Sequence, residues 1–160
     1  VCAKIIAYFS KIIGKTAYQL EADEKRKAAR ISAIYQKIER DYPTESEVRD
    51  IATSFTYIKN MMLTDEEISK LSKEVEYDLE KIYVEYNASM QHDQMMDYDD
   101  QMRYAYNILK SSPETLTHFQ NMYRYICVDE AQDTSKIQHV IIALLASKYN
   151  NIFISVPSSR

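Results

Sequence analysis

One glycine in 160 residues, Gly14, leaves this chain few ways to turn tightly. Glycine reaches left-handed backbone conformations without a steric penalty, and with proline it makes most tight turns. Three prolines accompany it, against an average usage of roughly 7% glycine and 5% proline. The scarcity predicts long helices and argues against any glycine-rich phosphate-binding loop. The tripeptide Gly14-Lys15-Thr16 matches only the tail of such a loop. The first glycine of that pattern would fall at Phe9, and a helix rather than a strand precedes it.

The apolar spacing delivers those helices. Ile5, Ile6, Phe9, Ile12 and Ile13 recur at helical intervals over Cys2 to Ile13, with Gly14 as the stop. A second helix is expected over Ala22 to Asp41, with Ala29, Ile31, Ile34, Tyr35 and Ile38 inward, ended by Tyr42-Pro43. Thr44-Glu45-Ser46-Glu47 and Thr64-Asp65-Glu66-Glu67 both read as capping boxes. The first opens a helix bearing Val48, Ile51, Ala52, Phe55, Ile58 and Met62; the second opens a short one through Leu71. A longer helix is expected over Lys73 to Met90. Gln91-His92-Asp93-Gln94 is a polar link. His92 with Asp93 and Asp97 lacks a diagnostic metal spacing and reads as a surface loop. Asp97, Asp99 and Asp100 open a further helix to Leu109, where acids complement the helix dipole. Ser112-Pro113 starts another, with His118 on its surface.

Tyr125-Ile126-Cys127-Val128 breaks the helical pattern. It reads as a short strand buried on both faces, with Cys127 as a small core residue. Asp129 and Glu130 follow at once, then Gln132, Asp133, Thr134 and Ser135. Thr134 or Ser135 is placed to cap a helix towards Tyr149, carrying Ile137, Val140, Ile141, Leu144 and Leu145 inward. Asn151 to Val156 would add a second, parallel strand and complete a βαβ unit. Open α/β sheets bind ligands beyond the carboxyl ends of their strands. Asp129 there would hold Mg²⁺, a hard cation that prefers oxygen ligands. Glu130 would orient and deprotonate the water attacking a γ-phosphate, with Gln132 and Asp133 linking phosphate state to the next domain.

The string Asp129-Glu130-Ala131-Gln132-Asp133-Thr134-Ser135 resembles motif II (Walker B) of the UvrD/Rep/PcrA family of superfamily 1 DNA helicases. Met96-Asp97-Tyr98-Asp99-Asp100-Gln101-Met102 resembles that family's Asp-Phe-Asp-Asp segment, and Phe119-Gln120, Tyr123-Arg124-Tyr125-Ile126 and Leu144-Leu145-Ala146 fit the usual surroundings. The likeness is strong from about Tyr83 to Phe153. It implies part of an ATP- and Mg²⁺-dependent motor moving 3′ to 5′ on single-stranded or forked DNA, working with the remaining helicase domains. The implied fold is mainly α. An antiparallel helical bundle over residues 1–92, similar to the family's 1B insertion, is followed over 93–160 by a βαβ piece of an incomplete RecA-like α/β motor domain.

Net charge is −4, without a global basic signature for nucleic acid. Residues 1–60 nevertheless hold 11 basic and 8 acidic side chains, leaving 9 and 16 in residues 61–160. Any DNA-facing surface is therefore expected around Lys25, Arg26, Lys27, Arg30, Lys37 and Arg40; the other reading of these residues, and the one favoured, is a solvated helix face with Glu/Lys pairs. Beside any such surface, the resemblance lets Asp99 shape the DNA channel. Cys2 and Cys127 form no disulfide framework or metal spacing. With no signal peptide and no apolar run near the ~18 residues of a membrane span, a cytoplasmic setting without membrane contact is expected.

Three family features are absent from this sequence: the P-loop, the second motor domain and the Gly-Asp-x-x-Gln continuation of the last strand, where Ser155 and Val156 stand instead. The 160 residues are therefore expected to hydrolyse no ATP alone and to hold no cofactor. Two other readings are a segment of a helicase–nuclease subunit, and a helical DNA- or protein-binding module without catalytic chemistry. The last would leave Asp129 and Glu130 in a helix or on an irregular surface.

Overall fold

The structure, a computed structural model, describes residues 1–155. The expected end of the last strand at Val156 lies outside them. The fold is mainly α, with eight α-helices and two short parallel strand pairs among the described residues. Contacts divide the chain into two units. One is Tyr18–Asp100; the other joins Val1–Ala17 to Gln101–Arg160. The division expected at residue 92 differs from this grouping, which puts the first helix with the C-terminal segment.

The helical unit holds α2 (Glu24–Glu39), α3 (Glu45–Met61), α4 (Asp65–Ser72) and α5 (Leu79–His92). Local chemistry sets each start. Asp23 accepts the Lys25 N–H, Asp78 accepts the Lys81 N–H, and Thr44 and Thr64 form complete capping boxes with Glu47 and Glu67. Helix α2 begins two residues later and ends two earlier than its apolar spacing predicts. Ala29 is exposed rather than inward. Residues 73–78 form turns, not the first turns of α5, because the Asp78 cap starts that helix at Leu79. Ile31, Ile51, Phe55, Ile58, Leu79, Ile82 and Tyr86 are the most buried part of one core, with Phe55 against the Tyr83 and Tyr86 rings at 5.2 and 4.9 Å. Such rings contribute about 0.5–1.5 kcal/mol per pair beyond their buried area.

Both ends of this unit are paired. β1 (Gln19–Leu20) runs parallel to β2 (Met95–Met96), in the register Gln19↔Met95 and Leu20↔Met96. The Gln19 N–H donates to the Gln94 carbonyl at 2.9 Å and the Glu21 N–H to Met96 at 2.8 Å.

The other unit contains α1 (Cys2–Ile13), most of α6 (Tyr98–Ser111), α7 (Pro113–Met122), β3 (Ile126–Val128), α8 (Lys136–Ala146) and β4 (Ile152–Ile154). Gly14 closes α1 at φ 64°, ψ 28°, the left-handed cap its sequence position predicts. It ends a helix and therefore cannot begin a phosphate cradle. Ile5 and Ile6 are buried, whereas Ile12 and Ile13 are largely exposed. Tyr8 stacks on His118 with ring centroids 4.0 Å apart, so His118 is half-covered rather than a surface residue. Gln120 is buried and donates to the Leu144 carbonyl at 2.9 Å and to Ser147 Oγ at 3.0 Å, tying α7 to the end of α8.

β3 and β4 are parallel, in the register Ile126↔Ile152, Cys127↔Phe153 and Val128↔Ile154. The strand–helix–strand order is the expected one. The burial is not: Ile126 and Val128 are half-buried, and Cys127 is exposed. Two strands make too narrow a sheet to cover both faces of either. Cys127 is therefore not a core residue here.

Candidate functional site

The chain leaves the carboxyl end of β3 at Asp129, and the next four residues are fixed by backbone hydrogen bonds. The Ser155 N–H donates to the Val128 carbonyl at 2.8 Å and the Ala131 N–H to the Ser155 carbonyl at 3.3 Å, pinning the turn to the end of β4. Asp129 Oδ1 accepts the Glu130 N–H at 3.0 Å. The Asp133 N–H donates to the Glu130 carbonyl at 2.9 Å, closing a single 3-10 turn over Ala131–Asp133. Glu130 sits at φ 49°, ψ 49°. That left-handed region is uncommon for a residue with a Cβ and marks local strain.

Asp129 and Glu130 are both exposed. They lie side by side at the end of a parallel strand, not in a helix. Gln132 and Asp133 occupy the 3-10 turn, exposed, with Gln132 Nε2 donating to Asp133 Oδ2 at 3.4 Å. Thr134 Oγ1 donates to the Ala131 carbonyl at 2.7 Å and lies 2.6 Å from His139 Nε2. A hydroxyl has one proton, so His139 is assigned the tautomer that donates from Nε2. Gln138 Oε1 accepts the Ser135 N–H at 2.8 Å at the start of α8. Nothing in the sequence pattern announced His139; a histidine one turn beyond Thr134 was the available signal.

No group of three or more His, Cys, Asp or Glu side chains suited to a metal ion occurs among the described residues. Asp129 fits a Mg²⁺ site only of the kind that takes one or two carboxylates and draws its other oxygens from substrate phosphates and water.

The basic residues of α2 fall into two groups. Lys25 and Arg26 are exposed in its first turn, and Arg40 is exposed at its left-handed C-cap. Arg26 lies 3.9 Å from Glu21 and 3.8 Å from Asp23. Lys27 is half-buried. Arg30 and Lys37 are instead tied to the region of α5. Arg30 donates to Ser89 Oγ and pairs with Asp93 at 2.7 Å; Lys37 pairs with Glu85 at 2.9 Å. His92 and Arg30 together hold the Asp93 carboxyl below its usual range, and Lys37 does the same for Glu85.

The acids before α6 are drawn inward. Lys59 of α3, with a fully buried side chain, pairs with Asp97 Oδ2 at 2.7 Å and Asp100 Oδ1 at 2.8 Å. The Asp100 N–H donates to Asp97 Oδ1 at 2.7 Å and the Asp97 N–H to Asp100 Oδ2 at 3.3 Å, a reciprocal box at the helix start. Asp99 accepts from Thr56 Oγ1 at 2.8 Å and Asn60 Nδ2 at 3.1 Å. Burial pulls the Lys59 ammonium down, but Asp97 and Asp100 outweigh it and hold its pKa above the ordinary lysine value. Burial raises the Asp97 carboxyl and Lys59 more than reverses this; Asp100 stays raised, by burial and by its neighbour Asp97. The dipole explanation for these acids is therefore incomplete, because they also neutralise a buried lysine.

The UvrD/REP helicase N-terminal domain family matches residues 1–156. The chain belongs to this family. ATP-dependent DNA helicase PcrA of Staphylococcus epidermidis strain RP62A is 32% identical over 107 residues, 66% of this chain and 15% of the relative. PcrA of Staphylococcus aureus strain Mu50 is 38% identical over 71 residues, 44% of this chain and 10% of the relative. The chain thus spans a small part of these helicases' length. No helix among the described residues of this UvrD/REP-family chain is long and apolar enough to cross a membrane.

Proposed function

We propose that this chain carries the acidic half of the nucleotide site, and a helical insertion, of an ATP-dependent DNA helicase moving 3′ to 5′. One observation carries the reading: Asp129 and Glu130 leave the carboxyl end of a parallel strand side by side, exposed, with Glu130 held left-handed. That is where α/β sheets take phosphate ligands. Asp129 would hold Mg²⁺, which when bound would supply charge neutralisation to the phosphates. Glu130 orients the attacking water and takes its proton. Gln132 and Asp133, one turn on, relay phosphate state to other domains of the complete helicase. The helical unit corresponds to the 1B insertion; Lys25, Arg26, Lys27 and Arg40 face the DNA while Arg30 and Lys37 stay paired with Asp93 and Glu85, and Asp99 borders the channel. Strand exposure supports a larger sheet: Phe153 and Ile154 of β4 are 62% and 59% exposed, whereas parallel strands are normally covered on both faces.

The sequence contains no glycine-rich phosphate loop, so the amides and lysine that hold the triphosphate must come from elsewhere in the helicase. The 160 residues alone should hydrolyse no ATP. In a phosphate-release assay the chain and its Glu130→Gln variant should both sit at the buffer rate. A turnover that Glu130→Gln abolishes would contradict the proposal that the site is incomplete without that loop.

A further inference from the structure

The paired ends of the helical unit are too short to hold themselves. β1 and β2 contribute two residues each, and even a full isolated two-stranded hairpin is marginal in water. Something outside the ladder must keep them together. The residue after β2 is Asp97, and it is locked.

Thr56, Lys59 and Asn60 stand at positions i, i+3 and i+4 of α3, on one face. That face receives Asp97, Asp99 and Asp100 through four short contacts: Lys59 to Asp97 and Asp100 at 2.7 and 2.8 Å, and Thr56 and Asn60 to Asp99 at 2.8 and 3.1 Å, with the 2.7 Å Asp100–Asp97 box bond beside them. Lys59 is the only formal positive charge in the set, and its side chain has no solvent exposure. Its ammonium also lies 5.4 Å from the centre of the buried Tyr86 ring.

We propose that Lys59 is the latch of the helical unit: its ammonium, gripped by Asp97 and Asp100, holds the first turn of α6 on α3 and so keeps Gln19–Leu20 paired with Met95–Met96. Release of Lys59 frees the ends of the unit while its apolar core, built from Ile31, Ile51, Phe55, Leu79 and Ile82, stays intact. The latch is a conformational device: the unit opens at its ends as a local event, separate from global unfolding.

Amide hydrogen exchange on the whole chain tests this. The reporters are Gln19, Glu21 and Asp100, whose N–H groups are bonded within the ends, and Ile34, Phe55 and Tyr83 in the core. In Lys59→Met, the end amides should exchange on the order of 100-fold faster relative to the core amides, because breaking a buried ion pair strands its partners. End protection that falls by the same factor as core protection, or not at all, would overturn the latch. Should Lys59→Met fail to fold, the triple variant K59M/D97N/D100N strands no charge and takes its place. Its core should keep wild-type protection while the Gln19 and Glu21 amides, whose acceptors the variant leaves unchanged, exchange at least about tenfold faster. Ends as protected as in wild type would show that the ammonium is dispensable and overturn the proposal.

Discussion

Two carboxylates grip the Lys59 ammonium, at 2.7 and 2.8 Å. Burial raises the Asp97 carboxyl and Lys59 more than reverses this, leaving it below its ordinary pKa. A carboxyl whose folded pKa is depressed adds stability above its unfolded value, and that stability is lost as pH falls through the folded value. Asp97 therefore stabilises the fold at neutral pH and stops doing so below the usual carboxylate range. Asp97→Asn should lose up to about 3 kcal/mol in urea unfolding at pH 7, as for a weakened buried pair, with the gap to wild type closing as pH falls through the carboxylate range. A loss of the same size at low pH as at neutral pH would contradict the pairing.

Helix α2 shows how an element's basic residues sort by geometry. Arg30 and Lys37 are fixed by Asp93 and Glu85, so turning them to DNA would break close pairs. Lys25 and Arg26 remain exposed in the first turn, where Arg26's contacts of 3.8 and 3.9 Å cost little to redirect. If α2 contacts DNA, K25A/R26A should weaken binding to a forked duplex at low salt. It should also reduce the slope of log affinity against log salt by about 1.4–1.8, from ~0.7–0.9 per phosphate contact. Unchanged affinity and slope would remove α2's first turn from the DNA surface. What could be read in advance at this scale follows the range of the interactions. The Gly14 stop and the Thr44 and Thr64 boxes are made within a few residues, so the sequence spelled them out. The Lys59 cluster spans 38 residues and was not foreseen. A lysine on the apolar stripe of Ile51, Phe55 and Ile58, in a chain with three clustered acids, was the available sign. The β1–β2 pair, two residues a side, carries no periodicity at all. Cys127 looked like a core residue because its neighbours are apolar, but its exposure depends on what covers the strand.

At the scale of the molecule, the helical unit Tyr18–Asp100 interrupts a second unit that takes residues from both sides of it. Its ends are paired in parallel and backed by buried charge. The second unit carries the strand end with Asp129 and Glu130, within a chain that matches the UvrD/REP helicase N-terminal domain over residues 1–156. Its apolar strands are open on a face that a wider sheet would cover. The most direct test of the account is DNA-stimulated ATP hydrolysis by the complete helicase carrying Glu130→Gln. Loss of a general base predicts a turnover lower by about 10²–10⁴-fold, with nucleotide still bound through Asp129 and the phosphate loop. Turnover close to wild type would contradict the assignment of Glu130, and with it the reading of this strand end as the nucleotide site.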